Sequence, residues 1–250
     1  MKFGAQFYSI RDLTTTPANL RIAFQKVSEC GFDNAQMSQI CPIDAHLLAS
    51  YSEEFCLPII CTHSQYDRII FDTERLIEQH NINRCPIIGL GHMPTHYRGS
   101  LDGVKSFIKE LSPAIERIEA SGLTFAYHNH AFEFIKDGQK THFDIIAESL
   151  PSIKFILDTY WVKYAGENYI SLMRSLGADR LSSIHFKDMK SEPRGEICHL
   201  GAGIIDYREL ISLCEELGVC DALIEQDNAP ESGDSLGELC TSLCYIKSIT

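Results

Sequence analysis

Eight times along this 250-residue chain a short apolar run of strand length is followed by a longer stretch with apolar residues at helical spacing. That alternation limits the possible folds more than any other feature. The runs are FGAQFYS, FDNAQMS, LPIICTH, CPIIGLG, LTFAYHNH, IKFILDTY, LSSIHFKD and DALIEQD; segments such as PANLRIAFQKVSECG and LDGVKSFIKELSPAIERIEASG come between them. The runs are apolar without clean alternation, as parallel strands covered on both faces are. Eight units of roughly 30 residues fit a (β/α)8 barrel, the TIM-barrel architecture. No Gly/Ser/Pro-rich linker divides the chain, so one α/β domain over residues 1–250 is expected. An open doubly wound sheet is the runner-up, disfavoured because no G-x-G-x-x-G turn follows the first strand.

A formal net charge of −12, with Lys and Arg scattered rather than striped, argues against a nucleic-acid partner, which needs a basic face. No apolar run is long enough to cross a bilayer, so no membrane partner is expected. The opening MKFGAQFYSIRD lacks the apolar stretch of a signal peptide and reads as a first strand. Ten cysteines without a C-x-x-C pair, mostly in apolar segments, predict reduced, buried thiols in a cytoplasmic protein. They also argue against a zinc site built on thiolates.

Barrel chemistry is concentrated at the carboxyl ends of the strands. Here those ends read QFYSIRD, CTHS, GLGHMP, AYHNH, LDTYW, IHFKD and IEQD. Asp158, His185 and Glu225 are metal-ligand types on three different strand ends, and His128 is placed as a fourth ligand. Taken singly, each has an ordinary structural reading; Asp158, for example, fits a helix N-cap. The succession His, Asp, His, Glu over strands five to eight points to a divalent cation: Mn first, with Mg, Co or Zn as alternatives.

The stretches AYHNHAFEF, LDTYWVKYAG, IHFKDMK, HLGAGIIDY and LIEQD, taken jointly and in order, resemble the sugar phosphate isomerase/epimerase family of xylose-isomerase-like barrels. The likeness runs from GAQFYSIRD to the last strand. It implies a (β/α)8 fold with one divalent cation, and carries Asp158, His185 and Glu225 over as ligands by motif match. Members include ketose epimerases, hydroxypyruvate isomerase, inosose dehydratase and keto-glycoside lyases. The chain departs from the family at His128, where many epimerases carry a Glu that is both ligand and base, and at Gln36, where Glu is common. The histidine-rich fifth strand resembles the dehydratase and lyase branch.

These residues lead to an expected chemistry. A sugar or polyol ketone loses the proton beside its carbonyl, giving an enediolate that the cation stabilises. Glu225 is the expected base and His130, two residues beyond His128, the second acid/base group. Lys187 would balance the enediolate charge, unless it is only a salt-bridged rim lysine. Gln6, Tyr8 and His63 are expected to touch substrate. Trp161 would wall a sugar face or else pack under the next helix, and Arg11 would ion-pair behind the ligands. His92 and Glu133 are further candidates. The glycine turn at 199–203 either approaches a ligand or simply enters a helix, and it lacks a phosphate-cradle pattern. Isomerisation or epimerisation is the first reading, and a dehydratase or lyase acting on a keto-inositol or 3-keto-glycoside is the second. A non-catalytic sugar-binding barrel and a multi-metal nuclease on the same fold are the competing classes. The partner is a small sugar or polyol; oligomeric state is left open, a homodimer included.

Overall fold

A computed structural model describes residues 1–192 and 194–250. Eight parallel strands form a closed barrel: β1 Lys2–Gln6, β2 Asn34–Met37, β3 Ile59–Ser64, β4 Ile87–Leu90, β5 Thr124–His128, β6 Lys154–Asp158, β7 Leu181–Phe186 and β8 Asp221–Ile224. Each strand pairs with its sequence neighbours, and β8 closes the ring on β1 with Phe3 opposite Ala222 and Ala5 opposite Ile224. The expected (β/α)8 barrel is therefore what forms, as one domain.

The connecting helices are α1 Pro17–Cys30, α2 Ala45–Glu54, α3 Tyr66–Phe71, α4 Thr73–Ile82, α5 Leu101–Ala120, α6 His142–Ser149, α7 Thr159–Tyr164, α8 Tyr169–Leu176, α9 Tyr207–Glu216 and α10 Ser235–Ile249. Polar caps set their starts: the Asp44 side chain accepts from His46 and Leu47 amides, and Asp206 from those of Arg208 and Glu209. Helix α1 ends on Gly31 at φ 89°, a left-handed position that glycine adopts without a Cβ clash. α3 and α7, six residues each, go beyond the sequence expectation, because one and a half turns give too little periodicity to detect. The first strand is also shorter than expected. The Gln6 side chain accepts from the Tyr8 amide at 3.0 Å, turning residues 7–13 into a 3-10 segment.

Outward strand residues such as Phe125, Tyr127, Phe155, Leu157, Phe186 and Ile224 pack under the helices in one large core. Inward residues Cys61, Ala126 and Ile156 form a small separate plug inside the barrel. Above that plug the inward positions turn polar, because alternate residues of a strand share a face: Ala126 leads to His128, Ile156 to Asp158, and Leu223 to Glu225. Register aligns two of these groups directly, with Asp158 opposite His185.

The reading of all cysteines as reduced and buried is corrected. Cys30 and Cys240 form a disulfide, with Cα atoms 6.0 Å apart across 210 residues of sequence. Closing the barrel sets α1 beside α10, a proximity that local spacing does not reveal. Of the other cysteines, Cys56, Cys220 and Cys244 are exposed, while Cys61, Cys85, Cys198 and Cys214 are buried. Among the described residues no helix is long and apolar enough to cross a membrane.

Candidate metal centre and active site

His128, Asp158, His185 and Glu225 converge at the carboxyl end of the barrel, all buried, with one ligand atom from each within 4.8 Å of the others. The sequence placed these four on strands five to eight, and the fold brings them to one point.

Hydrogen-bond direction tests whether they suit a cation. His128 Nδ1 lies 2.9 Å from the Gly91 carbonyl, which can only accept, so Nδ1 carries a proton. In the neutral ring the Nε2 lone pair then faces Asp158 Oδ2 at 3.3 Å. His185 Nε2 lies 2.7 Å from Gln36 Oε1, and its Nδ1 faces Glu225 Oε2 at 2.7 Å. Both imidazoles are thus fixed by an outer acceptor and turn their inner nitrogens toward carboxylate oxygens, as metal-ligating histidines do. Burial lowers the pKa of both rings. At His185 the net shift is downward, whereas at His128 the pull of Asp158 and Glu225 outweighs burial and the net shift is upward. The inner edge of the cluster therefore draws a positive charge, whether proton or metal ion.

Lys187 is not a rim lysine. It is 1% exposed, and its Nζ lies 3.4 Å from Asp158, 3.1 Å from Glu225 and 2.7 Å from Asp227. Burial opposes its charge, but the three carboxylates more than offset that and hold the ammonium well above the usual lysine range. Three carboxylates against one ammonium leave two negative charges, the amount a divalent cation neutralises. The donor set therefore fits such an ion. Glu225 is likewise disfavoured as an anion by burial, yet Lys187 and His185 hold its pKa well below the carboxylate range. Asp227 escaped the sequence reading, although it lies two residues past Glu225 and so on the same face.

Asp158 does serve as a helix cap, and it does more. Oδ1 accepts from the Trp161 amide at 3.1 Å to start α7, while Oδ2 faces His128 and Lys187.

A cavity of about 760 Å³ opens beside the cluster. His128, His130, Lys187, Glu225 and Asp227 line it, with Tyr8, His63 and His92 among the other walls. The His130 ring stands edge-on to His128 at 4.8 Å and lies 5.2 Å from Trp161. Its Nδ1 is buried without a partner among the described residues, as is Trp161 Nε1. Burial first, then the neighbouring His128 and Lys187, push the His130 pKa well below the usual value, so the ring is neutral. Glu133 sits behind His130 rather than in the cavity. Its carboxylate accepts from the His130 amide at 2.8 Å and from the Tyr127 hydroxyl, and burial raises its pKa to about 7.

Three other candidates lie elsewhere than expected. Gln6 is fully buried behind His63, with its amide Nε2 3.3 Å from His63 Nδ1, and does not line the cavity. Arg11 donates to the backbone carbonyls of Tyr8 at 2.8 Å and Asp227 at 3.0 Å instead of pairing with a carboxylate. The glycine turn gives its amides to the protein itself: those of Gly201, Gly203 and Ile205 all point at the Asp188 carboxylate.

Residues 24–236 match the family model described as xylose isomerase-like TIM barrel. No curated protein matches the chain. Among solved structures, a sugar phosphate isomerase/epimerase from Parabacteroides distasonis superposes with a TM-score of 0.79 at 16% identity, covering 98% of this chain and 93% of that one. The IOLI protein with a bound zinc atom gives a TM-score of 0.76 at 14% identity, covering 98% of each chain. D-allulose 3-epimerase from Methylomonas sp., in complex with D-allulose, gives 0.74 at 13% identity, covering 100% and 97%. At these identities the superpositions establish the shared fold, and the family match extends over most of the sequence. The chain belongs to the xylose isomerase-like TIM barrel family.

Proposed function

We propose that this protein is a divalent-metal-dependent sugar isomerase or epimerase that removes a proton beside the carbonyl of a sugar or polyol ketone. The observation that carries the reading is the convergence of His128, Asp158, His185 and Glu225 with both imidazoles fixed by outer acceptors. Two imidazoles in the set favour Mn, Zn or Co over Mg. The zinc in the IOLI structure and the sugar in the epimerase complex agree with this assignment. A cation held there supplies Lewis-acid polarisation of the ketone.

The remaining work falls to the chain. His130, with a buried nitrogen that no protein group engages, is one of two proton acceptors. Glu225, ionised but already shared with Lys187 and His185, is the second. The Lys187 ammonium offsets charge growing on the substrate oxygens. Trp161, its ring 5.2 Å from that of His130 and tilted against it, offers an aromatic face to the sugar ring. Return of the proton to the neighbouring carbon gives isomerisation, and return to the opposite face gives epimerisation. His128 stands where many epimerases carry a second carboxylate, and this favours an alternative in which a single base drives loss of a β-substituent, as in a dehydratase or lyase.

Deuterium wash-in from heavy water tests the reading. Metal-loaded protein is incubated with keto sugars, inositol ketones and 3-keto-glycosides. Exchange at the carbon beside the carbonyl is expected, and product analysis assigns isomerase, epimerase or lyase. Absence of exchange across the panel would sink the proposal in favour of a sugar-binding barrel.

A further inference from the structure

We propose that His63 is a neutral hydrogen-bond donor, through Nε2–H, to the substrate oxygen drawn in beside His128 and His185, and that Gln6 is the positioning residue that fixes this tautomer. The catalytic consequence rests on the proton-transfer reaction proposed above; the tautomer rests on hydrogen-bond direction alone.

The Tyr8 N–H can only donate, so the Gln6 atom it meets at 3.0 Å is the carbonyl oxygen Oε1. The other end of the same side chain is then the NH2 group, and it lies 3.3 Å from His63 Nδ1. An NH2 group has only protons to offer, so Nδ1 must present its lone pair and the ring proton sits on Nε2. Gln6 is fully buried, which keeps water from scrambling this order. Gly91 gives the ring its room, since a Cβ there would come within 3.0 Å of His63 Cγ and Nδ1.

His63 Nε2 is buried and has no partner among the described residues. Buried donors are almost always paired, so one left open beside a cavity is matched to something that arrives. The ring packs 4.9 Å from His128 and 5.5 Å from His185, and His63 lines the cavity. An oxygen accepting from Nε2 therefore lies against the ligand set, where the ketone oxygen gathers charge as the proton leaves. A preorganised neutral N–H strengthens its hydrogen bond as that charge grows, without giving up its own proton.

Nitrogen-15 NMR of the histidine rings in the protein loaded with diamagnetic zinc reads the tautomer directly and needs no turnover. A protonated Nε2 and bare Nδ1 at His63 are expected, and Gln6→Met should leave a mixture of tautomers. A proton on Nδ1, or on both nitrogens, would overturn the inference whatever the reaction proves to be. In the exchange assay His63→Phe should lower kcat by roughly 10²–10³-fold, the loss seen when one oxyanion donor is removed. KM should move little and metal content should stay stoichiometric, with His63→Gln recovering part of the rate. An unchanged kcat, or loss of the metal, would equally overturn it. If wild-type protein exchanges no ketone, the reaction proposal fails on its own account, while the NMR still decides the tautomer.

Discussion

Replacing Asp158 with asparagine separates the two tasks of one carboxylate. Asn caps a helix about as well as Asp, so Oδ1 goes on accepting from the Trp161 amide and α7 keeps its start. Lys187 keeps Glu225 at 3.1 Å and Asp227 at 2.7 Å. The negative ligand oxygen facing His128 is lost. Even outer partners of metal ligands are worth about 10–100-fold in affinity, so the loss of a ligand charge should be at least about 100-fold. At a free metal concentration 1,000 times the wild-type Kd, binding stabilises the wild type by about 4 kcal/mol, whereas a 100-fold weaker variant gains only about 1.4 kcal/mol. For a domain of this size that is a Tm rise of about 8–16 °C against about 3–6 °C. Calorimetry with added Mn and with chelator, alongside elemental analysis, makes the comparison. In chelator Asp158→Asn should melt near the wild type, whereas Asp158→Ala should melt lower by a cap's worth of about 1 kcal/mol. A wild-type Tm that ignores both metal and chelator, or an Asp158→Asn variant that gains as much as the wild type, would refute the reasoning.

His80 is buried between the Leu76 carbonyl and the Thr62 hydroxyl, and burial lowers its pKa to about 4. The unfolded chain therefore binds this proton first, and stability should fall as pH drops from 6.5 toward 4, by about 3 kcal/mol from this group; urea titrations of the wild type and His80→Gln should show the variant losing that much less. Glu133 works in the opposite direction: with its pKa raised to about 7, the stability it contributes is present below pH 4.5 and is lost as pH climbs through 7. Glu133→Gln should thus be more damaging at pH 5 than at pH 8, by about 3 kcal/mol in denaturant titrations, and equal damage at both would refute the burial argument. Denatured protein should titrate eight free thiols without reductant and ten with it. Reducing Cys30–Cys240, which closes a 210-residue loop, should cost up to about 5 kcal/mol in the chain-entropy model, and an unchanged melt would argue against that staple. The only tryptophan, Trp161, lies 5.2 Å from His130 and 5.3 Å from the Lys187 ammonium, so its fluorescence should change on sugar binding; a silent signal at saturating substrate would move the sugar elsewhere.

The barrel was readable because eight apolar runs of strand length alternate with stretches of helical spacing, and some helices mark their ends in the sequence, as at Asp206 and Gly31. The converging cluster was readable because strand ends become neighbours in a closed barrel, which turns four separate motifs into one site. What stayed hidden depends on contacts between distant segments. Nothing near Gln36 or Gly91 says that they hold the outer nitrogens of His185 and His128. Gln6 looked like a cavity residue because it stands at the end of the first strand, but its amide is committed to the Tyr8 backbone and His63. Cys30 and Cys240 meet only because the ring closes. Asp227 was within reach, since the two-residue step that links His128 to His130 also links Glu225 to Asp227.

Asp188 gives the rim a lasting bias. Its carboxylate sits in a nest of main-chain N–H groups from 189, 201, 203 and 205, and a Cβ at Gly203 would come within 2.2 Å of it. A ring of converging amides of this kind is what barrel enzymes elsewhere extend to phosphate esters. Here the seat is filled from within, by a tenant on the strand side that never leaves. Those amides are already spent on a buried carboxylate, so an esterified substrate would need its anchor at some other point of the rim.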